Sequence, residues 1–355
     1  MNNGRYYLPE VKIKTVNADF RVDEVFVEPH YVPQSEATFT YLWVSKENLS
    51  TFALQRTLAE CFGLAAEDVS AAGLKDEQAI TRQIISVRKM VETDDLEAIN
   101  NAFANAGIRV SILYILGYGK KPVYPRKLHG NKFSIILRNI EASLADHVEA
   151  RLGHTKLFRL INYYDEQRFG VPDSLHNTHL IGQALLTNDW QQAFQELVKS
   201  GNAEANEASR AIAAGSSPQA ALLHTTRTKL AFFVSSYNSF RWNAALKALV
   251  QASGATIMVE FPYLGELALP GDRSLALPPM LSLDVEEKNW ETLETQPKTK
   301  SRLVNVGVPV YLFDRQPDTY HHGREAMAVN FYLPTGCYAT MLIKQLLVDV
   351  VHGSG

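Results

Sequence analysis

The periodicity of the apolar residues changes twice along this chain, and these changes limit the folds that it can adopt. Up to about residue 154, short alternating segments typical of β-strands are mixed with single amphipathic helices, without a regular strand–helix rhythm. The spacing is helical over 180–249, and strand patterns return at 304–312 and 326–333 before a final helix. We therefore expect an α+β fold, in which both ends of the chain build one domain and the helical middle is inserted into it.

Length and composition indicate a folded protein with two domains. The 355 residues exceed the usual size of one domain, and 46% apolar with 21% charged residues is ordinary for a globular protein. Cys61 and Cys337 cannot form a disulfide framework, so we expect buried thiols in a reducing compartment. No apolar run is long enough to cross a bilayer, and the first residues lack the pattern of a signal peptide. We therefore expect a cytoplasmic location without membrane association.

A segment rich in charged residues, 73–83, lies between two apolar segments and predicts strand, tight turn and strand. A carboxylate on such a turn, Asp76, is well placed to act on a ligand, and Lys75 beside it favours its charged form. A solvated turn is the alternative from this segment alone, because turns are rich in Asp for local reasons. Glu77 adds a second acid, which repels Asp76 unless it points away or pairs with a base such as Arg82.

The basic residues are unevenly distributed. The net charge of −3 argues weakly against a nucleic-acid-binding protein, but residues 98–140 contain no Asp or Glu. In that stretch, aromatic residues are interleaved with basic ones: Arg109, Tyr114, Tyr118, Lys120, Lys121, Tyr124, Arg126, Lys127, Lys132, Phe133 and Arg138. Basic groups follow phosphates and aromatic rings stack on bases, so the stretch favours a nucleic-acid partner, with a solvated sheet face as the alternative.

Motifs for cofactors and metals are missing from the sequence. It contains no phosphate-binding loop, no complete dinucleotide fingerprint and no nucleophile elbow. The histidine pairs His176/His179 and His321/His322 have no cysteine or carboxylate partners at a recognisable metal-ligand spacing. If the protein is an enzyme, we expect a reaction without cofactor or metal.

Four separated segments, in order, resemble the motifs of the TruD family of tRNA pseudouridine synthases. They are residues 17–24 (NADFRVDE), 73–83 (GLKDEQAITRQ), 128–138 (LHGNKFSIILR) and 333–340 (LPTGCYAT), with support from 162–170 (NYYDEQRFG) and 235–243 (SSYNSFRWN). The resemblance therefore spans most of the chain. The sequence departs from the family pattern at Glu77, where the family has lysine, and at Tyr338 and Trp242, where it has phenylalanine.

The resemblance implies both a fold and a reaction. The fold is a pseudouridine synthase catalytic domain at 1–158 and 310–355, with a mixed, mainly antiparallel sheet flanked by helices. A mainly helical TRUD domain is inserted at 159–309. The reaction breaks the N1–C1′ bond of a uridine in tRNA, turns the uracil and joins C5 to C1′, without cofactor or metal. The family site is uridine 13, and we expect a monomer whose partner is RNA.

The resemblance also implies roles for individual residues. Asp76 is the catalytic carboxylate, either as a nucleophile at C1′ or as a base at C2′, and the sequence leaves both routes open. Supporting lysines are Lys75 and Lys14. Expected substrate contacts are Phe20, Asn131, Phe133 and Tyr338, and expected RNA-backbone contacts are Lys120, Lys121, Arg126, Lys127 and Arg168. For the aromatic residues the alternative is core packing, and for Asn131 it is a Gly-Asn turn.

Two other functions remain open at the level of sequence. Glu77 and the low basicity of the chain are compatible with a divergent synthase that acts on another RNA or on a free nucleotide. A non-catalytic RNA-binding or folding protein would keep only the shape of the family. The presence of both Lys75 and Asp76 argues against this last alternative.

Overall fold

The structure is a computed structural model, and it describes residues 5–6, 10–124, 128–152, 155–170, 175–227, 229–271 and 275–352. The expected RNA contacts Arg126 and Lys127 lie outside the described residues. The strands are β1 (Arg5–Tyr6), β2 (Phe20–Phe26), β3 (Phe39–Glu47), β4 (Val69–Ala71), β5 (Ile80–Val87), β6 (Val110–Gly119), β7 (Leu128–Ile140), β8 (Thr155–Ile161), β9 (Thr256–Phe261), β10 (Gly265–Pro270), β11 (Met280–Lys288), β12 (Thr295–Leu303), β13 (Asn305–Pro317) and β14 (Glu325–Pro334). The helices are α1 (Thr51–Phe62), α2 (Asp95–Asn105), α3 (Ala142–Leu152), α4 (Thr178–Leu186), α5 (Trp190–Val198), α6 (Ala203–Ala213), α7 (Pro218–Thr225), α8 (Leu230–Ala252) and α9 (Ala339–His352).

The chain divides into two compact units. The first unit contains Pro9–Phe158 and Val308–Gly336, and the second contains Met1–Leu8, Arg159–Gly307 and Cys337–Gly355. This division groups α9 with the middle of the chain, whereas the family resemblance implies that 310–355 belongs to the first domain. The domain boundaries stay a prediction.

A nine-stranded sheet forms the centre of the first unit. Its strand order is β6-β3-β5-β2-β7-β14-β13-β8, and β4 pairs with β5 outside this path. Strands β2 and β5 are parallel, and the pairs β3–β5, β3–β6, β2–β7, β7–β14 and β13–β14 are antiparallel. The expected α+β class with a mixed, mainly antiparallel sheet is confirmed.

Helices α1 and α2 cover one face of this sheet. The sequence predicts an N-cap within 48–50, an amphipathic helix over 52–62 and a stop at Gly63. Helix α1 begins as predicted, because the Oγ of Ser50 accepts a hydrogen bond from the main-chain N–H of Ala53 at 3.1 Å. It ends at Gly63, whose φ of +66° is in the left-handed region that favours glycine. Leu54 and Leu58 of this helix are fully buried, and each contributes about 1.5–3 kcal/mol of hydrophobic stabilisation.

The two faces of the sheet are distinguished by strand alternation. The helix-covered face includes Leu42, Val44 and Ile85, which form one core cluster with residues of α1 and α2. The opposite face includes Trp43 and Ile84, which belong to a separate cluster. Because side chains alternate along a strand, the register of the pairs shows which of the two faces each residue of a regularly paired segment is on.

The structure differs from the sequence-based expectations in three places. The alternation over 12–26 predicts strands, but β2 covers only Phe20–Phe26, and the chain before it forms an isolated bridge at Lys12 and a short 3-10 helix, Asn17–Asp19. The Asp19 side chain accepts a hydrogen bond from the main-chain N–H of Val16, which favours a turn. Cys61 is exposed rather than buried, because it lies on the outer side of α1. The strands β9–β12 were not predicted, and β12 is polar and exposed throughout most of its length.

The second unit contains the predicted helical region. Helices α4 and α8 approach so closely at Gly182 that a Cβ there would lie 1.9 Å from the main-chain oxygen of Phe233, so only glycine fits. Buried leucines of α4, α7 and α8, including Leu185, Leu222 and Leu230, share one core cluster. Among the described helices, none combines the length and the apolarity that a membrane span requires.

Candidate active site

Strand pairing in the first unit brings two separate segments to one edge of the sheet. Strands β2 and β5 are parallel, so the segments that precede them lie at the same edge. The segment before β5 contains Asp76, and the segment before β2 contains Lys14. Phe20 lies on the helix-covered face at this edge. Gln83 is on that face because it pairs with Val44, and Thr81, two residues before Gln83, is on the same face. Thr81 pairs with Val22, which puts Val22 and Phe20, two residues before it, on this face as well.

The loop that contains Asp76 is held by three side-chain hydrogen bonds. The Nζ of Lys46 donates to the main-chain oxygen of Asp76 at 2.8 Å. The Oγ1 of Thr51 accepts from the main-chain N–H of Lys75 at 2.9 Å, and the Nε2 of Gln83 donates to the main-chain oxygen of Gly73 at 3.4 Å. The loop is therefore fixed to β3, α1 and β5.

Lys46 is the residue that the sequence analysis missed. It lies on the helix-covered face of β3, opposite Thr81, and is 1% exposed. The available signal was its position two and four residues after Val44 and Leu42 on the buried face of β3, since lysine is almost never fully buried without a partner. The pKa of Lys46 is lowered to about 8. Burial is the main cause and the nearby Lys75 adds to it, while Asp76 and Glu77 partly oppose the decrease.

The side chain of Asp76 forms an ion pair with Lys14. Their Oδ2 and Nζ atoms are 3.4 Å apart, and the side chains are 34% and 20% exposed. The Nζ of Lys14 also lies 4.2 Å from the centroid of the Phe20 ring, in a cation–π contact. The backbone of Lys14 has a φ of +70°, an unfavourable conformation for lysine of the kind that clusters at functional sites.

Lys75, which was expected to support Asp76, binds a different carboxylate. Its Nζ donates to the Oε1 of Glu24 at 3.1 Å, and both side chains are almost completely buried. The other oxygen of Glu24 accepts from the main-chain N–H of Ile84 at 3.0 Å. Burial raises the pKa of Glu24, while Lys75 and the Ile84 N–H lower it. Lys75 therefore neutralises a buried acid beneath the loop, and Lys14 is the lysine that pairs with Asp76.

Glu77 does not form the expected pair with Arg82. The Nη1 of Arg82 instead lies 3.5 Å from the Oδ2 of Asp23 on the neighbouring strand. Glu77 itself is exposed. Its carboxylate is therefore hydrated, which weakens its repulsion of Asp76.

Aromatic rings and one amide line the helix-covered face next to Asp76. The rings of Phe20 and Phe133 meet edge to face at 6.0 Å, and Phe133 stacks on Phe331 at 5.3 Å. Phe20 is 1% exposed, so packing accounts for most of its surface. The Oδ1 of Asn131 is buried and has no hydrogen-bond partner among the described residues. An unpaired buried acceptor is costly, which makes Asn131 a strong candidate for a ligand contact.

Tyr338 belongs to the second unit, where it contacts a cluster of aromatic and cationic side chains. Its ring meets that of Tyr164 edge to face at 5.8 Å, and the guanidinium of Arg302 lies 3.7 Å from the Tyr164 centroid. Burial raises the pKa of Tyr338 to about 12, although Arg168 and Arg302 lower it. The hydroxyl therefore stays protonated over the physiological pH range.

Arg168 is held by helix α8 of the same unit. Its Nε donates to the Oγ of Ser239 at 3.0 Å, and its Nη2 donates to the Oγ of Ser235. Its guanidinium also lies 5.1 Å from the centroid of Phe232. These contacts orient Arg168 and occupy part of its donor capacity, and its contact with RNA stays a prediction.

The stretch without acids does not form a continuous basic surface in the described residues. Acids from other segments pair with Arg109 and Lys120, through Glu47 at 2.6 Å and Glu36 at 3.0 Å. Arg138 is buried and binds Asp19 and Asp318, so its role is structural. The main-chain oxygen of Lys121 accepts a hydrogen bond from Tyr41 at 2.8 Å. Contacts of Lys120 and Lys121 with RNA stay predictions.

No metal-binding group is seen in the part of the chain that the structure describes. No three His, Cys, Asp or Glu side chains converge there. His176 stacks on Tyr263 at 3.9 Å, and His179 stacks on Phe240 at 4.7 Å. Both histidines therefore pack as rings in the second unit.

Comparison with known proteins identifies similar sequences. The family model for tRNA pseudouridine synthase D (TruD) matches residues 9–218, which is more than half of the chain. A relative from Pyrobaculum islandicum, described as a probable tRNA pseudouridine synthase D, is 35% identical over 189 residues, covering 51% of this chain and 42% of the relative. The tRNA pseudouridine synthase D of Geobacter metallireducens is 33% identical over 186 residues, covering 52% of this chain and 43% of the relative.

A solved structure is similar over nearly its whole length. The crystal structure described as a TruD protein from Methanosarcina mazei matches with a TM-score of 0.61 at 18% identity, covering 94% of this chain and 93% of that chain. This similarity concerns the fold. The sequence matches to the curated relatives cover less than half of their length.

Proposed function

Because the chain belongs to the TruD family of tRNA pseudouridine synthases, we propose that it converts a uridine in tRNA to pseudouridine, with Asp76 as the catalytic carboxylate. The proposed target is uridine 13, the site that the family resemblance implies. The observation that supports this proposal most directly is the ion pair between Asp76 and Lys14.

The geometry around Asp76 suits a reaction on a ligand. Its loop is fixed through Lys46, while its carboxylate remains partly exposed. Lys14 places a positive charge 3.4 Å from one carboxylate oxygen, so a negative charge is balanced at the point where a substrate would enter. A carboxylate that is fixed, accessible and paired with a cation can take part in covalent or acid–base chemistry.

Two reaction routes are compatible with this arrangement. In the first, a carboxylate oxygen of Asp76 forms a bond to C1′ as the C1′–N1 bond breaks, and the bonding electron pair stays on uracil. After the base turns, C5 forms a bond to C1′, the Asp76–C1′ bond breaks and C5 loses its proton. In the second route, Asp76 removes the proton from C2′ while the C1′–N1 bond breaks, which leaves a glycal and the uracil anion. C5 of the anion then adds to C1′, and C2′ regains a proton from Asp76. In both routes the product forms when C5 loses its proton and N1 gains one.

The neighbouring residues have properties that would hold the base during its rotation. Uracil has an N3–H donor, and the buried Oδ1 of Asn131 is an acceptor without a partner among the described residues. Phe20 and Phe133 provide an apolar surface next to this amide. A uridine in folded RNA must first leave its stack, at a cost of about a few kcal/mol, and such contacts would offset that cost.

Tritium release from C5 of uracil is a direct test, because forming the new bond removes the C5 hydrogen. The wild-type protein is incubated with an unmodified tRNA transcript whose uridines carry tritium at C5. We expect release by the wild type and none by Asp76→Asn. The matched control is Glu77→Gln, which changes the adjacent exposed acid and should retain release within about three-fold. Equal release by wild type and Asp76→Asn would contradict the role of Asp76.

Substrate variants separate the proposal from its alternatives. Release that is lost when uridine 13 of the transcript is replaced by cytidine supports the family site. Release only from another RNA, or from uridine monophosphate, would identify a divergent synthase. RNA binding without release from any substrate would indicate a non-catalytic protein.

The two routes are distinguished by deuterium at C2′ of the target uridine. The glycal route breaks the C2′–H bond, so deuterium should slow single-turnover formation of pseudouridine. The nucleophilic route leaves that bond intact and predicts equal rates.

A further inference from the structure

The opposite face of the sheet contains a row of polar side chains that the proposed reaction does not use. The register of the pairs places four residues side by side across four strands. They are Arg82 on β5, Asp23 on β2, Lys132 on β7 and Tyr332 on β14. Because strands lie about 4.8 Å apart, this row extends over about 14 Å.

A second row lies next to the first, two residues along the strands. It consists of Arg21 on β2, Ser134 on β7, Asn330 on β14 and Tyr311 on β13. The spacing between the rows is about 7 Å, which is the distance between alternate residues of a strand. We call the eight residues of the two rows the sheet platform.

The sheet platform lies on the side of the sheet away from Asp76. Phe20 and Phe133, the rings near Asp76, alternate with Arg21 and Lys132 and are therefore on the helix-covered face. Toward β3, the opposite face is covered by a cluster that includes Trp43. The platform is the part of this face that remains open, and it lines a cavity of about 450 Å³.

The charge and the exposure of the sheet platform favour the binding of a polyanion. Its three basic residues, Arg21, Arg82 and Lys132, are exposed, whereas its one acid, Asp23, is paired with Arg82. Within the described residues, no carboxylate lies within ion-pair distance of Arg21 or Lys132. This local excess of positive charge occurs in a chain whose net charge is −3, so it is not a consequence of overall composition.

The aromatic and amide groups of the platform indicate that the polyanion it binds is a nucleic acid. Tyr311 is 48% exposed and Tyr332 is 38% exposed, so their rings can receive a stacked base. Asn330 lines the same cavity, and its Oδ1 is buried without a hydrogen-bond partner in the described part of the chain. This oxygen can accept a hydrogen bond from the amino group of a base.

We propose that the sheet platform is a second RNA-binding site, which takes a single-stranded segment of two or three nucleotides. Basic side chains and exposed aromatic rings on an open sheet are a recurring means of binding unpaired bases. The proposal rests on the proposed function only in taking RNA as the partner. Since the platform and Asp76 are on opposite faces, the bound segment is not the one that contains the target uridine.

Fluorescence anisotropy with a labelled single-stranded RNA octamer tests the platform. The experiment uses full-length Asp76→Asn protein, so that no turnover occurs. The double variant Arg21→Gln/Lys132→Gln should bind the octamer about ten-fold more weakly at low salt. The slope of the logarithm of its association constant against the logarithm of the salt concentration should be smaller by about 1.4. Tyr311→Ala with Tyr332→Ala should weaken binding at least about ten-fold with little change in the salt slope.

The matched control removes an exposed aromatic ring and an exposed arginine elsewhere. Phe52 and Arg56 lie on the outer side of α1. Phe52→Ala with Arg56→Gln should leave octamer binding unchanged. Ultraviolet crosslinking to 4-thiouridine in the octamer should label peptides from β13 or β14, which reports the site independently of affinity.

The outcomes distinguish this proposal from the proposed function. If the wild type releases no tritium from any RNA but the platform variants lose octamer binding, the platform is supported and the reaction is not. If all platform variants bind the octamer as tightly as their parent, the platform proposal is overturned, whatever the activity. It is also overturned if the parent is a dimer that Tyr311→Ala with Tyr332→Ala converts to monomers, since the face then contacts a second copy.

Discussion

The buried ammonium of Lys46 donates a hydrogen bond to the main-chain oxygen of Asp76 at 2.8 Å. Lys46 is on β3, and Asp76 is on the loop before β5, so this bond fixes the loop to the sheet. The Asp76 side chain, in contrast, faces Lys14. One lysine therefore positions the backbone and another one balances the charge of the same aspartate.

Replacing Lys46 should reduce activity without removing any group that touches the substrate. We expect Lys46→Met to lower kcat for tritium release at least ten-fold with a smaller change in KM, because displacement of a reacting group by about 1 Å costs up to about 100-fold. The matched control is Lys89→Met, since Lys89 also donates to a main-chain oxygen, that of Phe62. A kcat unchanged in Lys46→Met would contradict a positioning role.

The pKa of Lys46 should appear in the pH dependence of stability. Its folded value of about 8 is below the unfolded value, so between these values the unfolded chain holds a proton that the folded chain lacks. Stability of the wild type should therefore rise relative to Lys46→Met by about 2 kcal/mol from pH 7.5 to 10. Urea unfolding of both proteins measures this difference. A constant difference would show that Lys46 titrates normally.

Lys14→Met tests the charge beside Asp76. The ion pair is partly exposed, so its loss should change the free energy of unfolding by less than about 1 kcal/mol. Removing the charge should reduce tritium release by about 10- to 100-fold. Lys12→Met is the matched control, because Lys12 is two residues away and pairs with the exposed Glu10. Similar activities of the two variants would exclude a specific role of Lys14.

The buried pair of Lys75 and Glu24 should matter for stability. Lys75→Met leaves Glu24 buried without its cation, and we expect a loss of about 3–5 kcal/mol. Adding Glu24→Gln removes the uncompensated charge and should recover part of this loss. Chemical denaturation of the single and double variants measures both effects. A double variant less stable than Lys75→Met would contradict this explanation.

Substitutions of Tyr338 test whether tritium release depends on its ring or on its hydroxyl. Because burial raises its pKa to about 12, the hydroxyl does not ionise near neutral pH. Tyr338→Phe should therefore keep tritium release within about three-fold. We propose, from the family resemblance, that the ring contacts the substrate, so Tyr338→Ala should lower release at least about ten-fold. A large loss in Tyr338→Phe would assign a role to the hydroxyl.

Local signals predicted individual elements well. The cap at Ser50 and the glycine at Gly63 bound α1 as expected, since both act on the nearest turn of the helix. The segment 73–83 was expected to be a turn between strands, and its first part connects β4 to β5, which begins at Ile80 within the segment. Long-range pairing was less accessible: the acid-free stretch suggested one basic surface, but acids distant in sequence neutralise Arg109, Lys120 and Arg138.

The sequence by itself determined the family, the α+β class and the position of Asp76 on a turn, because these depend on short motifs and on the local periodicity of apolar residues. Only the tertiary structure decided which cationic side chain pairs with which acid. Lys75 is adjacent to Asp76 in sequence, yet its side chain binds Glu24, while Lys14 and Lys46 reach Asp76 from two other segments. Successive side chains point in different directions, and the parallel pairing of β2 with β5 brings distant residues to the same edge.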